Sequence, residues 1–232
     1  MEATEIRKLA ELEDRHWWYR ERRALLARAL RKAGRPGRAL DVGAACGGNT
    51  RVLKAHGWRP VALEYSESGA EVARERGLDV IRADARFLPF ATGSLDLVVA
   101  FDILEHIEED VRAAAEFRRV LRPGGTALIA VPCDMRLWSA HDVAVSHVRR
   151  YSRETLTDTI SKAGLVIDEL WSWNVLLRPV AAWRRRKATG SDLDDMSGVV
   201  NQALTAIITV ERYLPVKSLP GVSLMLRAHR PD

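Results

Sequence analysis

Short apolar runs recur through the middle of the chain: RALDV at 38–42, PVALEY at 60–65, LDVIRAD at 78–84, LDLVVAFD at 95–102 and TALIAVP at 126–132. Between most of them, at about 48–56, 67–76 and 108–121, the apolar positions return at helical spacing. Strands alternating with helices at this spacing predict an α/β protein with a parallel, doubly wound sheet. Ahead of the alternation, residues 3–33 read as an N-terminal helix. Ile6, Leu9, Leu12, Leu25, Leu26 and Leu30 are its apolar positions, and GRPG at 34–37 stops it. After the alternation, SRETLTDTIS opens a helix with Ser152 as N-cap. A strand follows at 165–171, and 175–214 is helical apart from the polar stretch TGSDLDDMSG at 189–198. GVSLMLRAHR at 221–230 closes the chain as an alternating strand. The expected organisation is therefore an N-terminal helical cap (1–36), a sheet domain (37–174 with 219–232) and a helical insertion (175–218). An insertion that long between two strands suits a lid, a dimer contact or a membrane-facing patch.

Composition narrows this only a little. The 232 residues, 47% hydrophobic and 29% charged, accommodate one sizeable domain with an accessory element. The net charge of +5 is modest, and its arginines gather at Arg20/Arg22/Arg23, at Arg149/Arg150 and in WRRRK at 183–187. Such clusters can meet phosphate or an anionic membrane, although arginines solvating helix faces are the plainer reading. Cys46 and Cys133 are too few for a disulfide framework. The charged N-terminus has no apolar signal core, and VLLRPVAAW is broken by Arg178 and Pro179 before it approaches a membrane span. A cytoplasmic location is the expectation.

The chemistry starts at ALDVGAACGGNT, residues 39–50. An apolar strand ending in an acid falls into a loop of small residues, Gly43, Ala45, Gly47 and Gly48, before a helix opens at Asn49 or Thr50. In a doubly wound sheet, ligands bind at the carboxyl ends of the strands, where a small-residue loop and a helix N-terminus admit them to the backbone. Glu64 ends the second strand 21 residues after Gly43, where an acid can hold the two hydroxyls of a ribose. Together these point to an adenosine-containing cofactor. The loop alone fits both an imperfect dinucleotide pattern, Gly43-x-Ala45-x-x-Gly48, and a shorter Gly43-x-Ala45-x-Gly47 pattern.

RADARFLPFATGSLDLVVAFDILEHI followed by FRRVLRPGGTALIAVP resembles the class I S-adenosylmethionine-dependent methyltransferases, from about residue 38 to 171. HWWYRERRALL and LWSAHDVAVSHVRRYSRETL are similar to a small-molecule subgroup with an N-terminal helix over the cofactor. The resemblance implies a Rossmann-like sheet of seven strands, the last antiparallel, and S-adenosylmethionine as cofactor. It implies that Gly43 and Ala45 line the methionine moiety, that Gly47 also belongs to the cofactor site, that Glu64 binds the ribose and that Tyr65 lies against the adenine. Asp84 with Ala85 would recognise the adenine edge, and Phe101 would face the methyl-bearing end. Trp18 with Arg22 or Arg23 would close over the cofactor carboxylate, unless the HWWY aromatics are simply core anchors. Ala45 departs from the usual second glycine; it is harmless if φ stays negative there and strained if it does not.

Methyl transfer chiefly requires alignment of the acceptor and exclusion of water, with a base only where the nucleophile holds its proton. FDILEH at 101–106 and HDVAVSHVRRY at 141–151 both fall at the carboxyl edge of the sheet. His106 is the first choice of base, with a structural histidine as the alternative reading. His147 and Asp102 join it as catalytic candidates, and His141, Arg149, Arg150 and Tyr151 as substrate-binding ones. Asp102-x-x-Glu105-His106 with His147 also resembles the divalent-metal site of the small-RNA 2′-O-methyltransferases and of some quinone-biosynthesis O-methyltransferases. Asp102 is one methylene shorter than the usual glutamate, and no metal is assigned on this ground. The reading is a methyltransferase, O-directed, on a hydroxylated small molecule, sugar or lipid-linked intermediate. The alternatives are a metal-dependent RNA 2′-O-methyltransferase and a cofactor-binding protein without transfer activity. Scattered basic residues argue against nucleic acid. Peripheral membrane contact and a homodimer both fit the insertion.

Overall fold

The computed structural model describes residues 10–186 and 197–232; residues 1–9, with the expected helix positions Ile6 and Leu9, and residues 187–196, with Lys187 and most of the polar stretch, lie outside them. The strands are β1 (Arg38–Val42), β2 (Arg59–Glu64), β3 (Val80–Arg82), β4 (Leu95–Phe101), β5 (Leu121–Pro132), β6 (Val166–Trp173) and β7 (Ser223–His229). They form one sheet in the order β3-β2-β1-β4-β5-β7-β6. β1 pairs in parallel with β2 and β4, whereas β7 lies antiparallel between β5 and β6. The doubly wound sheet with an antiparallel last strand is therefore present as expected.

Each strand alternates between two apolar layers because successive side chains point to opposite faces. Leu40, Val42, Val98, Ala100, Ile129 and Leu226 face one cluster, where Ala113, Phe117 and Ile160 of the helices α4 (Asp110–Val120) and α6 (Arg153–Lys162) meet them. Ala39, Leu97, Val99, Leu128 and Met225 face the other, against Trp17, Leu26 and Leu30 of α1 (Trp17–Leu30) and Leu53 of α2 (Gly48–Ala55). α3 (Glu67–Glu75) follows β2. Ser152 caps α6 as its sequence position suggests, accepting the Thr155 N–H at 3.0 Å.

Between β6 and β7 lie α7 (Arg178–Arg185) and α8 (Gly198–Glu211); the short α5 (Ala140–Ala144) follows β5. Pro179, which interrupts the apolar run in sequence, sits in the first turn of α7, where a missing N–H costs nothing. α8 packs on α1: Ile208 joins the cluster of Trp17 and Leu26, and the Trp17 N–H donates to Asn201 Oδ1 at 2.8 Å. Arg212 Nε donates to the buried Glu21 carboxylate at 2.7 Å. The N-terminal helix and the insertion, read apart in the sequence, thus form one cap. Trp173 and Ser223 pair at the ends of β6 and β7, which fixes the root of this cap at the carboxyl edge of the sheet. Its outer surface exposes Val199, Val210 and Tyr213 on and just after α8, and Trp183 on α7. Among the described residues, no helix is long and apolar enough to cross a membrane.

Candidate active site

The small-residue loop leaves the carboxyl end of β1 and turns into α2. Gly43 and Gly47 take left-handed conformations, φ +68° and +80°, and a Cβ at Gly43 would fall 1.7 Å from Ile103 Cδ1. Ala45 lies between them at φ +43°. The condition under which alanine would be harmless is therefore not met, and its methyl group strains the loop. Glu64 reaches from the end of β2 into the loop, its carboxylate accepting the N–H groups of Ala45 and Ser66, each at 2.9 Å. Beneath it Asp41 is fully buried. Thr50 Oγ1 donates to one of its oxygens at 2.6 Å, the other has no partner among the described residues, and burial pushes the carboxyl up to about 7. Glu13, also buried, covers the loop from the N-terminal segment, where its carboxylate takes Arg51 (2.7 Å) and Arg76.

These residues suit an adenosine-bearing cofactor. The loop backbone is open to close approach, and Glu64 has oxygen lone pairs beyond the two N–H groups it accepts. The far side of the predicted site is more mixed. Tyr65 is 72% exposed beside it. Asp84 is held by Arg86 (2.7 Å), whose hydrogen bonds keep the Asp84 carboxyl below its usual range, while Ala85 is turned into the core.

At the end of β4, Phe101 is buried and the Arg22 guanidinium lies over its ring at 4.8 Å. The same guanidinium lies 5.4 Å from Trp173, and Trp18 packs on Trp173 with centroids 4.4 Å apart and the rings tilted by 51°. Arg22 forms an ion pair with Asp102, itself at φ +58°. Asp102, expected as a catalytic candidate, and Arg22, expected over the cofactor carboxylate, are thus placed on each other, and Asp102 stays close enough to act electrostatically on Glu105 and His106. Arg23 turns away to Glu13 and Asp14.

Immediately beyond, the turn Leu104–His106 sets Glu105 inward and His106 outward. The chain returns along it after β5, with the Val148 N–H donating to the Glu105 carbonyl at 2.8 Å and the Tyr151 N–H to the Pro132 carbonyl at 3.0 Å. This brings His147 beside His106, ring centroids 4.7 Å apart, with His141 6.2 Å from His147. His147 Nδ1 bonds Asp142 Oδ1 at 2.8 Å. Burial opposes charge on Asp142, but the hydrogen bonds from His147 and Arg150 outweigh it and hold the carboxyl below its usual range. Although part of its ring is exposed, the protein atoms packed around it strip water from His106, and the adjacent His147 adds to this; together they lower it to about 4, so its imidazole is neutral at pH 7. Glu105 moves the other way: complete burial raises it well above the carboxylate range, and the Asp102 charge adds to this.

Two substrate candidates are corrected by their surroundings. The Arg150 side chain is buried on Asp142 (2.8 Å). Tyr151 is buried with its hydroxyl donating to Asp110 Oδ2 at 2.7 Å. Both brace the return segment from within and turn no group toward the cleft. Arg149 pairs with Asp110 at 2.8 Å, and His141 stays at the rim. Asp142, Trp173 and Glu13 were not singled out in the sequence. For Asp142 the signal was present, since Ser139-x-x-Asp142 is a capping box and the structure forms it.

Residues 40–129 match the family model described as "Methyltransferase domain". A Mycolicibacterium smegmatis protein named as a probable S-adenosylmethionine-dependent methyltransferase is 27% identical over 168 residues, which cover 70% of this chain and 65% of that protein. The chain spans 60% of the length of similarly named proteins from Mycobacterium tuberculosis. Among solved structures, an S-adenosylmethionine-dependent methyltransferase from Thermotoga maritima superposes with a TM-score of 0.62 at 18% identity, covering 98% of this chain and 95% of that one. A phosphoethanolamine N-methyltransferase from Haemonchus contortus, crystallised with S-adenosylmethionine, gives a TM-score of 0.61 at 20% identity, covering 90% of this chain and 53% of that one. The glycine loop, the acid at the end of β2, the strand order and the sequence likeness agree, and over the matched residues the chain is similar to S-adenosylmethionine-dependent methyltransferases.

Proposed function

We propose that this chain transfers the methyl group of S-adenosylmethionine to a hydroxyl oxygen of a small molecule, a sugar or a lipid-linked intermediate. The observation that carries the cofactor half of this reading is Glu64, an acid at the end of β2 whose carboxylate is aimed into the left-handed loop after β1. Gly43, Ala45 and Gly47 hold the methionine end, and Glu64 holds the ribose. When bound, the cofactor supplies an already activated methyl group. The chain's own work is to align the acceptor and keep water out, and the cap over the carboxyl edge serves both. A hydroxyl acceptor is supported by Glu105, His106 and His147 at the ends of β4 and of the return segment. The neutral His106 imidazole is useful where the nucleophile carries a proton that it does not readily lose. The exposed apolar surface of α8 is compatible with an acceptor carried on lipid.

Calorimetric titration of S-adenosylmethionine into the purified chain tests the reading. Micromolar binding is expected, weakened about tenfold or more in Glu64→Ala, equivalent to about 1.4 kcal/mol or more. Absence of binding by the wild type, or an unchanged affinity in the variant, refutes this use of the loop.

A further inference from the structure

We infer that the outer face of the cap rests on an anionic lipid surface, with α8 and α7 lying along it and the acceptor reaching the cleft from that side. The use of this contact rests on the methyl-transfer reading; the contact itself does not.

α8 is apolar on the side that a water-facing helix makes polar. Val199, Ala203, Ala206, Val210 and, just after the helix, Tyr213 follow one another at steps of four and three residues, which sets them in one stripe, and all are exposed. At its two ends Val199 is 79% and Tyr213 76% exposed, so nothing in the described chain covers the stripe there. The polar side chains of the helix are turned the other way. Asn201 accepts the Trp17 N–H at 2.8 Å and donates to the Arg15 carbonyl at 2.9 Å, and the buried Glu211 accepts the Leu176 N–H at 2.9 Å. A helix inverted in this way calls for an apolar cover from outside the chain.

α7 repeats the pattern. Pro179, Val180 and Trp183 are exposed, and Arg184 and the exposed Arg186 follow them. Trp183, 59% exposed, carries an apolar ring with a polar N–H and suits the boundary between headgroups and acyl chains. The rest of α7 is fixed to the protein by Arg178 on Asp134 and by Arg185, 3.3 Å from the Asp142 that holds His147. A surface under α7 is therefore at the rim of the cleft.

Charge selects the occupant. Among the described residues of α7 and α8 the one acid is the buried Glu211; Asp192, Asp194 and Asp195 lie outside the described residues. Burial and the nearby Arg184 charge hold His16 below its ordinary value, which sets Arg184 beside the start of α1, next to the Trp17 that Asn201 binds. At the other end of the stripe the Arg28 guanidinium lies 5.9 Å from the Tyr213 ring. Apolar positions bordered at both ends by arginines, with no exposed acid on either described helix, match acyl chains beneath anionic headgroups. A second copy of the chain would set the same arginines against each other across a two-fold interface.

Flotation of the full chain with vesicles is the direct test. The wild type should float with vesicles of phosphatidylcholine and phosphatidylglycerol in equal parts at about 0.1 M salt. Binding should fall at least about tenfold with phosphatidylcholine alone, and added salt should weaken it. Val199→Ser with Val210→Ser, and Arg184→Glu with Arg186→Glu, should each lower the affinity for the mixed vesicles about tenfold or more. Circular dichroism and S-adenosylmethionine affinity should stay at wild-type values in both. Brominated acyl chains should quench the tryptophan emission of the wild type more than that of Trp183→Phe. No flotation of the wild type with the mixed vesicles, or flotation that both paired variants leave unchanged, overturns the contact. So does a wild-type dimer in light scattering that Val199→Ser with Val210→Ser turns into a monomer, because a second copy then covers the face. Failure of S-adenosylmethionine to bind the wild type overturns the methyl-transfer reading instead, and flotation still decides on the surface.

Discussion

Ala45 holds a methyl group in a backbone region that costs an L-residue roughly 1–2 kcal/mol, at φ +43°. Replacing it with glycine removes that cost and adds back part of it through the freer unfolded chain, roughly 0.5–1 kcal/mol. Ala45→Gly should therefore stabilise the protein by about 1 kcal/mol and raise its melting temperature by about 2–4 °C for a chain of this size. A calorimetric scan that shows no rise would mean that the loop relaxes around alanine. Gly43 and Glu64 could be recognised in the sequence because a loop after a strand and an acid at the end of the next have local signatures. Arg150 and Tyr151 could not. Their partners, Asp142 and Asp110, are chosen by the return of the chain along Leu104–His106, and residue type alone does not say whether an arginine faces solvent or a buried acid.

Among the elements, β1 and α2 are joined through a titratable bond, the Thr50 hydroxyl on buried Asp41. Burial raises Asp41 from its ordinary 3.8 to about 7 in the folded chain. A raised folded value contributes stability that is fully present below about pH 4 and is lost as pH climbs through about 7. Asp41→Asn cannot titrate, so its stability relative to wild type should improve by a few kcal/mol between pH 4.5 and 7.5. Urea midpoints that run parallel for the two proteins across that range would refute the assignment. His106 acts in the opposite direction, its lowered value removing stability as pH falls toward about 4, but it is common to both proteins and cancels. Element boundaries were readable to within a few residues because periods of 2 and 3.6 mark the buried faces. The departures have local causes. β5 starts at Leu121, five residues before its apolar run, because Leu121 pairs with Leu95 across an irregularity in the ladder. β3 shrinks to Val80–Arg82 at the edge of the sheet, where only β2 pairs with it.

For the molecule as a whole, the cap is fastened where α8 meets α1. Arg212 on Glu21 and Asn201 on the Trp17 N–H join α8 to α1. Arg212→Ala leaves Glu21 buried without its ion pair, and hydrogen exchange across 198–211 should quicken by tenfold or more while the amides of β4 and β5 keep their protection. Equal acceleration in the sheet would mean that the cap and the sheet unfold together. Both helical segments were visible in the sequence, but their contact was not, since periodicity shows that a face is apolar without naming the face it meets. The chain leaves the sheet after Trp173 and rejoins it at Ser223, two residues already paired as neighbours. A detour anchored at adjacent points can be lengthened, shortened or exchanged without altering the register of any strand. Grafting a relative's β6–β7 detour onto this sheet would thus change the cover over the carboxyl edge while the glycine loop, Glu64 and the Glu105–His106–His147 cluster stay where they are.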